Sequence, residues 1–100
     1  MIVLSAFFQA KPGREAELEA ALCAMIPEAR KEVGTLEYTV HRAKDDACRF
    51  FFYEKFRDQA ALDVHMAAPY LKAVLDKVPQ LCASEPVVTA YQPLVSIHDC

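Results

Sequence analysis

The segment Arg49-Phe-Phe-Phe-Tyr-Glu-Lys-Phe56 constrains this chain more than any other. Five aromatic rings in eight residues favour a strand, because rings pack well on a pleated surface and lose rotamer freedom against a helix backbone. The rings fall on both alternating positions, so both faces of that strand need cover. Just before it, Thr35-Leu-Glu-Tyr-Thr-Val-His-Arg42 alternates in polarity and Lys44-Asp-Asp-Ala47 supplies a turn. Residues 35–56 therefore read as an antiparallel hairpin. A turn centred on Asp45-Asp46 sets Tyr38 opposite Tyr53, Val40 opposite Phe51, His41 opposite Phe50 and Glu37 opposite Glu54; one bulged residue flips each of them to the other face.

The flanking segments complete a pattern. Met1 to Ala10 is apolar on both alternating faces (Ile2, Leu4, Phe8 and Val3, Phe7) and reads as a strand rather than a leader, since it has no basic n-region. Lys11-Pro-Gly13 is a turn. From Arg14, the spacing of Leu18, Leu22, Met25 and Ala29 predicts a helix to about Val33, with Glu15, Glu17 and Glu19 at its positive start. Pro27 should kink it, and Gly34 stands where a left-handed C-terminal cap belongs. Asp58 is a candidate N-cap for a helix from Gln59 to Met66, and Pro69 opens a second stretch with Leu71, Val74, Leu75 and Val78. Pro79 and Pro86 end it, and Val87 to Tyr91 is a fourth strand before a short tail to Cys100. The order βαββαβ predicts an α+β, ferredoxin-like fold: a four-stranded antiparallel sheet with two helices on one face.

One hundred residues suffice for one such domain, with a core over about residues 1–92 and a tail over 93–100. Strands one, three and four also carry apolar side chains on the face away from the helices, which a second copy of the chain would cover; a homodimer is expected. A net charge of −3 with scattered Lys and Arg leaves no stripe for phosphates, so nucleic acid is not an expected partner. Nor is a membrane, as no run approaches the roughly 18 apolar residues of a span. A cytoplasmic location is expected. Cys23, Cys48, Cys82 and Cys100 form no C-x-x-C and no paired spacing with histidine, so no metal site is signalled and the thiols read as free.

Lys11-Pro-Gly13 followed by an acidic helix, Gly34-x-x-x-Tyr38, and above all the stretch Phe52-Tyr-Glu-x-Phe-x-Asp-x-x-Ala-Leu-x-x-His65-x-x-x-Pro69-Tyr70 resemble the antibiotic biosynthesis monooxygenase (ABM) domain family over about residues 1–92. The resemblance implies a dimeric α+β barrel with a pocket between sheet and helices. It implies activities that include cofactor-free oxidation of quinols or phenols, oxidative haem breakdown, and isomerisation of a small phosphorylated sugar derivative. Many members carry Trp where this chain has Phe56 and His where it has Tyr70. The haem-degrading branch resembles a site of Asn, Trp and His, and this chain contains no Asn and no Trp, which disfavours haem.

Oxidation by ground-state O₂ without a cofactor needs the substrate as an electron-rich anion, hence a base, a dry pocket and an oxyanion donor. Imidazole, titrating near ~6.5, is the natural base, and a phenolic hydroxyl is a suitable donor. His65 by its spacing alone reads as a packing or capping histidine; the family position makes it the candidate base. His41 is a second candidate or a cross-strand partner, and Tyr53 is a catalytic candidate or a sheet tyrosine. Tyr70, Phe52, Glu54 and Phe56 are candidate substrate contacts. Glu54 is either a carboxyl of raised pKa facing Glu37 or half of an ion pair with Arg42, Arg49 or Lys55. His98 reads as surface. The expected function is cofactor-independent oxidation of a small aromatic quinol or phenol. The alternatives are an isomerase or enolising enzyme acting on a small dicarbonyl or phosphorylated sugar derivative, and a non-enzymatic dimeric binding module.

Overall fold

In the computed structural model, which describes residues 1–99 and leaves Cys100 outside the described residues, the chain runs β1 (Ile2–Gln9), α1 (Glu15–Cys23), α2 (Ile26–Ala29), β2 (Thr35–Arg42), β3 (Arg49–Phe56), α3 (Gln59–Met66), α4 (Pro69–Leu75), α5 (Val78–Leu81) and β4 (Val87–Tyr91). The four strands form one antiparallel sheet in the order β2-β3-β1-β4. This is the ferredoxin-like α+β arrangement, with each of its two helical arms broken into short segments.

Sequence explains the breaks. The first arm does not run unbroken to Val33: α1 stops at Cys23, and a turn precedes α2, which carries Pro27 at its start, where a missing N–H costs nothing. Leu18, Leu22, Met25 and Ala29 still line up on one side and are all buried. In the second arm the Asp58 carboxylate caps α3 by accepting from the Ala61 N–H at 2.9 Å, and Pro69 and Pro79 each open a new segment. Leu71, Val74 and Val78 join Ala6, Phe8, Phe50 and Phe52 in the principal core. A smaller cluster of Leu4, Phe56, Ala61 and Leu62 closes the other end.

The hairpin pairs one residue away from the expected register. Tyr38 stands opposite Glu54, Thr39 opposite Tyr53, Val40 opposite Phe52, His41 opposite Phe51, and Glu37 opposite Lys55. The cause is the loop. Ala43 N–H donates to the Arg49 carbonyl at 2.9 Å, which centres the turn on Asp46, and the Asp46 carboxylate accepts from Cys48 N–H at 2.9 Å to hold the turn. A bulge between Thr35 and Glu37 restores the pairing of Thr35 with Phe56.

The two glycines have different tasks. Gly13 takes φ +87° in the Lys11-Pro-Gly turn, a conformation that L side chains rarely adopt. Gly34 is not a left-handed cap, for Gly13 alone among the described glycines has positive φ. A Cβ on Gly34 would lie 2.3 Å from the Ala61 Cβ, so the glycine is there to let the β2 entrance press against α3. That contact sets up the site.

A buried histidine between two carboxyl groups

Ala61 and His65 are one turn apart on the same face of α3. With Gly34 against Ala61, the turn ending α2 delivers Glu32 to His65. The imidazole is 2% exposed. Its Nδ1 lies 3.0 Å from Glu32 Oε1 and 3.0 Å from the Tyr70 hydroxyl, and that hydroxyl donates to Glu32 Oε2 at 2.8 Å. Thr35 Oγ1 adds a fourth contact, donating to Glu32 Oε1 at 2.7 Å. Burial works to raise the Glu32 pKa, but the hydrogen bonds from Thr35, Tyr70 and His65 outweigh it and hold the carboxyl below its usual range. Glu32 is thus a stable carboxylate.

On its other side, His65 Nε2 lies 3.5 Å from Glu54 Oε1. Glu54 is 3% exposed, and that oxygen has no hydrogen-bond partner. Burial, and then the charge of Glu32, push its pKa up to about 8. At neutral pH Glu54 is therefore mostly the carboxylic acid, with an O–H to donate. The rings of Tyr38 and Phe56 pack on His65 at centroid distances of 5.0 and 5.1 Å. Tyr38 reaches only Met25 Sδ with its hydroxyl, at 3.8 Å, and burial raises its pKa. Burial raises that of Tyr70 as well, helped by Glu32. Both phenols stay protonated at neutral pH.

His65 and Glu54 form the polar end of a cavity of about 50 Å³ whose other walls include Leu4, Ala6, Phe8, Phe52 and Leu71. Met66, Leu75 and Val88, each substantially exposed, line it as well. A larger groove of about 270 Å³ beside α2 is open to solvent and shares Tyr38 with the cavity, but it contains neither His65 nor Glu54. His65 and Glu54 therefore face the smaller of the two spaces.

Of the residues expected from sequence, the structure gathers His65, Tyr70, Glu54, Phe52 and Phe56 at or around this cavity. Glu54 makes no ion pair with Arg42, Arg49 or Lys55 and does not face Glu37; it faces the core beside His65. His41 and Tyr53 alternate with Phe52 and Glu54 and so occupy the opposite face of the sheet. His41 is exposed there, stacked on Phe51 at 5.3 Å with Nδ1 3.1 Å from the Phe51 carbonyl. His98 is exposed in the tail. Glu32 is the residue that sequence reasoning passed over. It sits in the charged run Arg30-Lys-Glu32, which looks like any solvated helix end, and only its tertiary approach to α3 reveals it. Cys23, Cys48 and Cys82 are free, and no group of three or more metal-ligating side chains occurs among the described residues.

A four-stranded antiparallel sheet with a histidine and a glutamic acid buried under its helical layer places this chain among ferredoxin-like α+β domains. It belongs to the antibiotic biosynthesis monooxygenase family, whose profile matches residues 1–77. The chain is 29% identical to "Putative monooxygenase Rv0793" of Mycobacterium tuberculosis over 93% of its own length and 91% of that protein's. The solved structure of Rv0793 superposes with a TM-score of 0.89 over 96% and 97% of the two chains. Protein SO0527 of Shewanella oneidensis is 37% identical in structural alignment, with a TM-score of 0.85 over 90% and 87% of the two chains. An uncharacterized Synechocystis protein is 30% identical over 91% of this chain, which spans 62% of that relative's length.

Proposed function

We propose that this protein is a monooxygenase that oxidises a small phenol or quinol with O₂ and no added cofactor, with His65 as base and the Glu54 carboxylic acid as oxyanion donor. The observation that carries the reading is the unpartnered Glu54 Oε1, 3.5 Å from His65 Nε2 at the polar end of an apolar cavity. In this reading the substrate's hydroxyl oxygen comes within hydrogen-bond reach of both atoms. It donates its proton to Nε2 and accepts one from Glu54, so the phenolate that forms lies between an imidazolium and a neutral acid in a low-dielectric site. Glu54 takes the donor role that the sequence alone suggests for a tyrosine.

The phenolate gives one electron to O₂, the resulting radical pair joins as a C–O bond, and the hydroperoxide loses water to leave a quinone. A phenol supplies all four electrons: one oxygen atom ends in the product and the other in water, with no external reductant. Family membership and the relatives' names support the monooxygenase class; the substrate, the base and the oxygen chemistry are our reading. A homodimer joined across the open sheet face, a cytoplasmic setting and a small aromatic substrate belong to the same proposal.

The test is an oxygen electrode with a panel of mono- and bicyclic phenols and quinols. Uptake of one O₂ per substrate without released peroxide supports the reading. Turnover of a dicarbonyl without oxygen uptake would favour the isomerase alternative.

A further inference from the structure

We infer that Glu32 and Tyr70 together lock His65 in the tautomer that carries its proton on Nδ1 and turns a bare Nε2 toward Glu54 and the cavity. The inference deepens the proposed function and rests on His65 being its base. A neutral imidazole has one N–H, and which nitrogen bears it is set by the partner of the other. Here Nδ1 faces two oxygens at 3.0 Å, those of Glu32 and Tyr70. The Tyr70 hydroxyl has a single proton. Its better acceptor is the Glu32 carboxylate at 2.8 Å, because a charge-assisted bond is the stronger one. With that proton spent on Glu32, the tyrosine can only accept from Nδ1, and Glu32 Oε1 can only accept as well. Nδ1 must therefore be the donor, and the neutral ring is left with its lone pair on Nε2.

The same geometry says what happens when the carboxylate is removed. Tyr70 O–H, freed from Glu32 and already 3.0 Å from Nδ1, becomes the donor, and the ring turns over to the Nε2–H tautomer. That form cannot take a proton at Nε2. Glu32 is a positioning residue: it touches no substrate and acts through His65, from a loop held in place by the Gly34–Ala61 contact. Tyr70 serves as a switch whose direction depends on Glu32.

The test is nitrogen NMR on histidine-labelled protein, with His65 assigned by its loss in His65→Ala, over a pH series that includes the neutral ring. Wild type should show a pyrrole-like Nδ1 and a pyridine-like Nε2. Glu32→Met, similar in length but unable to accept, should invert the pattern, and adding Tyr70→Phe to it should cancel the inversion. A wild-type ring protonated on Nε2, or on both nitrogens throughout the range, overturns the inference without any variant. Retention of Nδ1–H in a folded Glu32→Met protein overturns it too. Because the readout is the ring itself, a correct tautomer in a protein that oxidises no phenol would sink the proposed function and leave the lock standing. Where oxidation is measurable, Glu32→Met should lower kcat about 10²-fold or more with little change in KM, as for a base held in the wrong tautomer.

Discussion

At the scale of single residues, the site sets two ionisable groups against each other. Glu32 is surrounded by donors and kept ionised, while Glu54 is buried without one and kept neutral. If Glu54 must donate to the developing phenolate, kcat/KM should fall as pH rises through about 8, because the carboxylate cannot donate and repels the anion. Glu54→Gln keeps an N–H donor but cannot titrate, so a pH–rate profile of that variant should lose the alkaline limb. The same group marks stability. The folded carboxyl holds its proton up to about 8, whereas an unshifted one releases it near 4.5, so its contribution is full below 4.5 and lost as pH rises through 8. Between those values stability should decline by at most about 1.4 kcal/mol per pH unit, and Glu54→Gln should flatten the slope in urea titrations. His65→Ala should lower turnover by about 10²–10⁴-fold if the imidazole is the base. Circular dichroism on the same preparation separates loss of chemistry from loss of fold, which matters for a side chain packed between Tyr38 and Phe56.

At the scale of elements, the point of greatest leverage is the meeting of the β2 entrance with α3. Gly34→Ala would drive a methyl into Ala61 at 2.3 Å, where neither partner is a flexible side-chain end. A loss of about 1–3 kcal/mol is expected, read from the urea midpoint, and Ala61→Gly in the same chain should recover most of it. Histidine NMR on that pair would show whether the lock on His65 loosens with the loop. The elements themselves were legible in the sequence: alternation placed β2, aromatic density placed β3, and Asp58 and Pro69 marked helix starts that the structure keeps, whereas Pro79, expected to end the second arm, instead opens α5. What escaped was anything set by three dimensions. Alternation fixes which residues share a face of one strand, but the hairpin register came from an Asp46-centred turn whose hydrogen bonds no local pattern announces. The histidine and one carboxyl of the site stood out, since His65 and Glu54 lie in a distinctive stretch. Glu32, 33 positions before His65, did not, because a glutamate between Lys31 and Val33 is chemically ordinary until Gly34 brings it to α3.

At the scale of the whole molecule, the sheet has one covered face and one open one. On the open face Phe7, 42% exposed, stacks on Phe51 at 4.9 Å, and Phe51 in turn stacks on His41. Val87 and Tyr91, 60% and 47% exposed, extend the apolar surface along β4, and Ser5 Oγ lies 2.9 Å from the Tyr91 hydroxyl, so the polar groups there are partly paired among themselves. A surface of this kind is covered more cheaply by another apolar sheet than by water. A dimer across it would remove the roughly 1,200 Å² or more of total area that specific interfaces bury. Sedimentation equilibrium should give about 22 kDa, twice the 11.2 kDa of the chain. Phe51→Glu, which sets a charge at the centre of the aromatic stack and lies on the other face from His65 and Glu54, should shift the particle to monomer without unfolding it. A wild-type monomer at micromolar concentration would end the dimer proposal, and a Phe51→Glu variant that still sediments as a dimer would move the interface to another face.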